Sequence, residues 1–306
     1  MLNQKTIDQF VIQAGEKFRI KEHATLWTGD KRTGALDSSD DNTGALKDQA
    51  KQHLQESIKD LSEAQELLYA SDRWSVLCVF QAMDAAGKDG TIAHVFRGVN
   101  PAGCDVHSFK QPTTEELDHT FLWRHQRRVP ERGRIGIFNR SYYEDVLIVK
   151  VHPQILNGTR LTTKTYDKQF WKDRYQDINQ FEQHLARNGT LVLKFFLNVG
   201  KDEQKKRFLK RLDTPEKHWK FSPADVKERQ YWDDYMAAYE EAINATSTDW
   251  APWHVIPADN KWIMRMIVAE IIAAKIKGLK LKAPVVTPEV MKEFEAARQQ
   301  LLGEKK

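Results

Sequence analysis

Cysteine is scarce in this 306-residue chain: Cys78 and Cys104 are the only two, too few for a disulfide framework. No stretch approaches the roughly 18 apolar residues that cross a bilayer, and the opening MLNQKTIDQF lacks a signal peptide's apolar stretch. The expectation is a soluble, cytoplasmic protein with no membrane partner. Metal-site spacing is missing as well. The 10 histidines are scattered, and neither H-E-x-x-H nor C-x-x-C occurs, which excludes structural zinc. Charge of one sign is not in great excess: 47 Lys+Arg against 43 Asp+Glu leave a net +4, too little to demand a nucleic-acid partner. There is no internal repeat and no low-complexity tract. Hydrophobic residues at 41% and aromatics at 10% argue against global disorder despite the abundant charge.

The length suits one large domain with short appendages. An N-terminal extension is expected over 1–48, where a Gly/Ser/Thr/Asp-rich stretch between Thr25 and Lys47 reads as a loop. A main domain spans 49–283 and a helical tail 284–306. Ala50, Leu54, Ile58, Leu61, Ala64 and Leu68 recur at helical steps. Trp74–Phe80 is a short apolar run with a glycine-bearing loop behind it, hence a buried strand. Further apolar runs at 134–138, 191–197 and 253–256 read as strands. Tyr166 to Leu185 keeps a helical period and closes on Asn188-Gly189. Ser222-Pro223 opens a helix carrying Trp232, Tyr235, Met236 and Tyr239, and a last core helix starts near Asp259. Strands alternating with helices predict a three-layer α/β fold on a parallel sheet.

The most informative stretch is FQAMDAAGKDGTI, residues 80–92. It stands where a strand hands over to a helix. Ala85, Ala86 and Gly87 are small enough for the backbone to curl and turn its N–H groups on an anion. Lys88 adds a charge that reaches phosphate oxygens, and Asp89, Gly90 and Thr91 continue the candidate phosphate-binding set. Against the pattern G-x-x-x-x-G-K-[ST], Ala82 replaces the first glycine and Asp89 replaces the hydroxyl that holds magnesium. Asp84 and Asp89 supply carboxylate oxygens, which suit Mg²⁺ when phosphates complete its shell. A plain strand–turn–helix corner with an exposed lysine is the bland alternative.

RIGIFNRSYYEDV, residues 134–146, ends a second strand in Asn139-Arg140-Ser141. Ligands of open α/β sheets bind beyond the carboxyl ends of strands, which places this end beside the phosphate loop. Arg140 is suited to clamp phosphoryl oxygens. Glu144 is a metal candidate with Asp84, and Asn139, Tyr143, Glu144, Asp145 and Lys110 are candidates for the nucleotide side. An Arg–Glu surface pair over core tyrosines would look similar. Residues 201–220 hold eight basic and four acidic side chains; Arg207 and Arg211 share a helix face where phosphate-loop kinases need mobile cations. A solvated charged helix has the same composition. WRHQRRVPERGR (123–134), with five arginines and one glutamate, suits a long polyanion, nucleic acid included. Arg97 follows the phosphate-loop helix and either faces the anion or caps that helix. Trp219, Trp253 and Trp262 read as core rather than base-stacking platforms, and Cys78 as packing.

Together MDAAGKDGTI, VFRGVNPAGCDVHSFKQPT, FNRSYYEDVLIVKVHP and KDEQKKRFLKRLDTPEKHWKFSPAD resemble the polyphosphate kinase 2 family, from about Phe18 to about Gly278. The resemblance implies a phosphate-loop kinase fold similar to thymidylate kinase with a helical lid at about 201–222, and a homo-oligomer. It implies magnesium-dependent phosphoryl transfer between inorganic polyphosphate and AMP, ADP or ATP, with Asp84, Lys88, Arg140, Arg207 and Arg211 at catalytic motif positions. Asn139, where other members carry aspartate, resembles the group called class III, which takes AMP and ADP in two steps to ATP. Two alternatives stay open: an ATP-dependent nucleoside monophosphate kinase and a nucleic-acid-binding protein.

Overall fold

The computed structural model describes residues 2–29 and 43–304; most of the loop expected before Lys47 lies outside them. Six strands form one sheet: β1 (Val11–Ile12), β2 (Ser75–Gln81), β3 (Cys104–Ser108), β4 (Ile135–Asn139), β5 (Thr190–Asn198) and β6 (Trp253–Pro257). Their order is β1-β6-β5-β2-β4-β3. All neighbours run parallel except β1, which pairs antiparallel with β6. β2 lies at the middle, with Cys78 opposite Ile137 on β4 and Leu193 on β5. Every residue of β2 is buried, as parallel strands covered on both faces require.

Among the described residues, seven helices have eight residues or more: α1 (Thr43–Ser71), α2 (Lys88–Val95), α3 (Lys168–Arg187), α4 (Lys201–Leu212), α5 (Trp232–Thr246), α6 (Lys261–Lys277) and α7 (Pro288–Gly303). One helical layer holds α1 and α2, both packed on α6; α3 and α5 pair in the other. The apolar stripe read for α1 is its core face: Ala50, Leu54, Leu61, Ala64 and Leu68 are buried, each leucine adding roughly 1.5–3 kcal/mol. α6 is buried on every side, from Ile263 to Ala273 without a break, so it is a central core helix rather than an amphipathic one.

Three expectations change. Residues 2–29 do not stand apart as an extension, because Phe10, Ile12, Phe18 and Ile20 join the core and β1 extends the sheet. The helix opened by Ser222 is interrupted: Pro223–Glu228 gives way to a 3-10 turn, Arg229–Tyr231, before α5 begins. Trp253 is core, and Trp262 is partly buried. Trp219 is not; it is 78% exposed on the 3-10 helix Pro215–Lys220 after α4.

Candidate active site

The carboxyl end of β2 turns at once into the phosphate loop. The Ala86 amide donates to Met83 O at 3.2 Å, closing a tight turn. Ala85 and Gly87 both take positive φ, +60° and +115°. Gly87 is required twice over, since its backbone disfavours any side chain and an added Cβ would stand 3.3 Å from Met264 Cε. α2 then starts at Lys88, and its first N–H groups lack intrahelical acceptors, leaving a positive helix end at the turn. Lys88 Nζ donates to Ala82 O at 2.6 Å, folding the ammonium over its own loop. Burial lowers its pKa, against the raising influence of Asp84.

Opposite stands the end of β4. Arg140 takes φ +64°, its amide donates to Phe80 O at 3.1 Å, and its Nη2 meets Asp84 Oδ1 at 3.1 Å. Burial opposes its charge, but Glu144 and Asp84 outweigh that and raise its pKa. Asn139 Nδ2 donates to Asp89 Oδ1 at 2.8 Å, linking the end of β4 to the first turn of α2. Glu144 accepts from Gln81 Nε2 at 2.8 Å. Asp84, Lys88, Asp89, Arg140 and Glu144 therefore form one electrostatic group, as the mutual influences on Lys88 require.

The two arginines expected on the lid, both on α4, make different contacts. Arg207 is 7% exposed and every N–H it owns is used. Nε donates to Glu203 Oε1 at 2.7 Å, Nη1 to the carbonyls of Ala85 and Ala86, and Nη2 to those of Ala258 and Asp259. It ties the phosphate loop to the chain leaving β6, and its five N–H donors all meet protein acceptors. Gln204 Nε2 adds a bond to Asp84 O at 2.8 Å. Arg211, one turn later, lies 3.7 Å from Asp225, a carboxylate whose pKa burial and then Asp84 raise. Arg211 thus pairs with a carboxylate that lies within the electrostatic reach of Asp84.

Other sequence candidates move away. Thr91 is buried with its hydroxyl donating to Gly87 O at 3.0 Å, and Tyr143 is buried with its hydroxyl donating to Glu182. Arg97 follows the far end of α2, roughly 12 Å of helix from Lys88 at 1.5 Å per residue. Asp145 lines the cleft but is held by Arg174 at 3.0 Å. The arginines of 123–134 do not form one track. Arg132 donates to Arg73 O and Gly189 O and Arg134 pairs with Asp105, all at the amino ends of the strands, the opposite edge of the sheet. Arg124 lies on the site side, donating to Lys110 O at 2.8 Å, and Arg127 meets Glu115 at 3.7 Å.

A cleft of about 1350 Å³ opens beside Arg140 and Glu144, with Lys110 and Arg124 on its rim and Phe109, Phe121, Phe170 and Phe181 supplying aromatic wall. Arg140 and Glu144 also border a smaller recess of about 70 Å³ with Asp84, Gln204, Asp225 and Arg229. Gln81, Gln204 and Asp225 were missed from sequence. Each is a common polar residue whose only signal was lying within a few positions of a strand end or a lid.

Among the described residues no three His, Cys, Asp or Glu side chains are grouped to hold a metal alone. Magnesium does not need that: one or two carboxylates suffice when phosphates and waters complete the shell. Asp84 and Glu144 fit that pattern, each a hard oxygen donor beside Lys88.

A phosphate loop at the switch point of an open parallel sheet, with an arginine at the next strand end, defines a phosphate-loop phosphotransferase. The chain belongs to the polyphosphate kinase 2 family, whose profile, "Polyphosphate kinase 2 (PPK2)", matches residues 44–284. It is 55% identical to an ADP-polyphosphate phosphotransferase of Rhodopseudomonas palustris over 83% of this chain and 90% of the relative. An AMP/ADP-polyphosphate phosphotransferase of Meiothermus ruber is 48% identical over 76% and 82%. The crystal structure of polyphosphate kinase 2 from Arthrobacter aurescens superposes with TM-score 0.81 at 38% identity, covering 94% of this chain and 96% of that one.

Proposed function

We propose that this chain transfers phosphoryl groups from inorganic polyphosphate to AMP and ADP, giving ADP and ATP, reversibly and with magnesium. One observation carries the reading: Arg140 and Glu144 border both the aromatic-walled cleft and the phosphate-loop recess. Two anions entering from the two compartments meet at that pair. The relatives named above act on AMP or ADP with polyphosphate, which supports the donor and acceptor. Asn139, neutral and bonded to Asp89, supports acceptance of both AMP and ADP, as in class III.

In this mechanism Lys88 exchanges Ala82 O for a phosphate oxygen, and Arg140 holds the transferred group from the other side. Magnesium held by Asp84 and Glu144 would neutralise phosphate charge. Arg211 closes with the lid and sheds water from the site. The acceptor is already an anion, so no strong general base is needed. We further infer a cytoplasmic homo-oligomer that binds no nucleic acid. The exposed Met291, Phe294, Leu301 and Leu302 of α7 support self-association. The test is to supply AMP, polyphosphate and Mg²⁺ without ATP. Appearance of ADP and then ATP is expected; phosphorylation only when ATP is the donor would establish an ordinary nucleoside monophosphate kinase instead.

A further inference from the structure

Behind the site lies an ion pair that the chemistry above does not use. Lys194, in the middle of β5, and Glu182, on α3, are both 0% exposed and meet at 2.7 Å. The ammonium's other two contacts are Tyr143 Oη at 3.0 Å and Thr246 O at 2.6 Å. The carboxylate's second oxygen, Oε1, accepts from Tyr142 Oη at 2.8 Å and Tyr143 Oη at 2.9 Å. Each donor and acceptor in this buried group is satisfied. Stability alone does not explain it, because a well-packed apolar pair of similar volume usually serves a core as well or better.

What the pair grips does explain it. Tyr142 and Tyr143 are consecutive, and in an extended strand consecutive side chains point to opposite faces. Both hydroxyls reach one oxygen only because Tyr142–Val146 is wound as a 3-10 turn. That turn sits directly behind Arg140, which holds an unfavourable left-handed φ of +64°, and it carries Glu144. A non-glycine residue keeps such a backbone only where its surroundings over-determine it. On the other side Gln81 closes the frame, donating to Glu144 at 2.8 Å and accepting from Ser141 Oγ at 3.4 Å.

We propose that the buried Glu182–Lys194 pair is a positioning device for phosphoryl transfer. Through the two tyrosine hydroxyls it fixes the turn that aims Arg140 and Glu144 at the reacting groups. The inference rests on the functional reading above and deepens it, naming residues that act through others and touch no substrate.

Two double variants test it. E182L/K194M removes the charges and the acceptor; E182Q/K194M removes the charges but leaves an amide oxygen for both hydroxyls. The expected result is a fall of about tenfold or more in kcat for polyphosphate-driven phosphorylation of AMP in the first, with the KM for polyphosphate nearly unchanged. The second recovers most of that loss at a similar melting temperature. Y142F/Y143F keeps the ion pair and is expected to reproduce the low kcat, so the proposal stays decidable if either double variant misfolds. Hydrogen exchange of the 140–146 amides is followed in parallel, and faster exchange in E182L/K194M and Y142F/Y143F than in E182Q/K194M is expected. Equal kcat and equal exchange in all folded variants would overturn the proposal. Failure of the unaltered protein to phosphorylate AMP from polyphosphate defeats the functional reading instead, and exchange then still decides whether the pair holds the turn.

Discussion

Replacing Arg207 by lysine separates a loop clamp from a phosphate ligand. The guanidinium spends five N–H donors on five acceptors: the Glu203 carboxylate and the carbonyls of Ala85, Ala86, Ala258 and Asp259. An ammonium has three, so two or more acceptors lose their partner. Each buried acceptor left unpaired costs about 1–3 kcal/mol, which gives roughly 2–6 kcal/mol for the variant. With about 2–4 °C of melting temperature per kcal/mol for a large single domain, Arg207→Lys is expected to melt at least about 4 °C lower. The released phosphate loop shifts by a fraction of an ångström or more, and kcat/KM for polyphosphate and AMP falls about a hundredfold although the positive charge is retained. Thermal melts read beside steady-state kinetics decide the matter. A variant with the original melting temperature and a collapsed kcat would show that the guanidinium works on the phosphoryl group, and the clamp argument would be wrong.

Lys88→Ala and Arg140→Ala are each expected to cut turnover at least about a hundredfold; unchanged turnover in either would remove that residue from the mechanism. Arg140→Gly is expected to be about 1 kcal/mol more stable than Arg140→Ala, because only glycine accepts φ +64° without strain, while being equally inactive; urea melts of the two check this. Since burial lowers the Lys88 pKa, an arriving polyanion should raise it again, so polyphosphate binding takes up protons at pH values where free Lys88 is partly neutral. Calorimetry in buffers of different ionisation enthalpy measures that uptake, and Lys88→Met should abolish it. His125 and His254 are pushed down to about 3 by burial. Their Nδ1 atoms face the carbonyls of Phe121 and Lys194, and their Nε2 atoms are buried without partners. The unfolded chain binds these protons below pH 6.5 and the native one does not until about 3. Stability is therefore full above 6.5 and falls with pH, by about 1.4 kcal/mol per unit for each histidine. A flat denaturation profile across that window would contradict the neutral, buried assignment.

Much of the scaffold was written locally. The apolar runs at 74–80, 134–138, 191–197 and 253–256 became β2, β4, β5 and β6 within a residue or two, because a strand covered on both faces must be apolar throughout. The small residues before Lys88 likewise marked the phosphate loop, where Gly87 takes a positive φ that glycine adopts without strain. Charge runs proved poor guides. Arg132 and Arg134 share a segment with Arg124, yet they lie at the opposite edge of the sheet, because the strand that follows them starts there.

Sequence by itself determined which residues carry charge near which strand ends, and so the chemistry on offer: a lysine at one, an arginine at the next, carboxylates beside each. Tertiary structure alone decided how that charge is spent. Arg207 is used up on backbone carbonyls from two distant loops while Arg211, one turn away, pairs with Asp225. Tyr143 is turned inward to a carboxylate 39 residues further on. The physical reason is that local periodicity places a side chain on a face of its own element, whereas the partner waiting on that face is set by packing between elements remote in the chain.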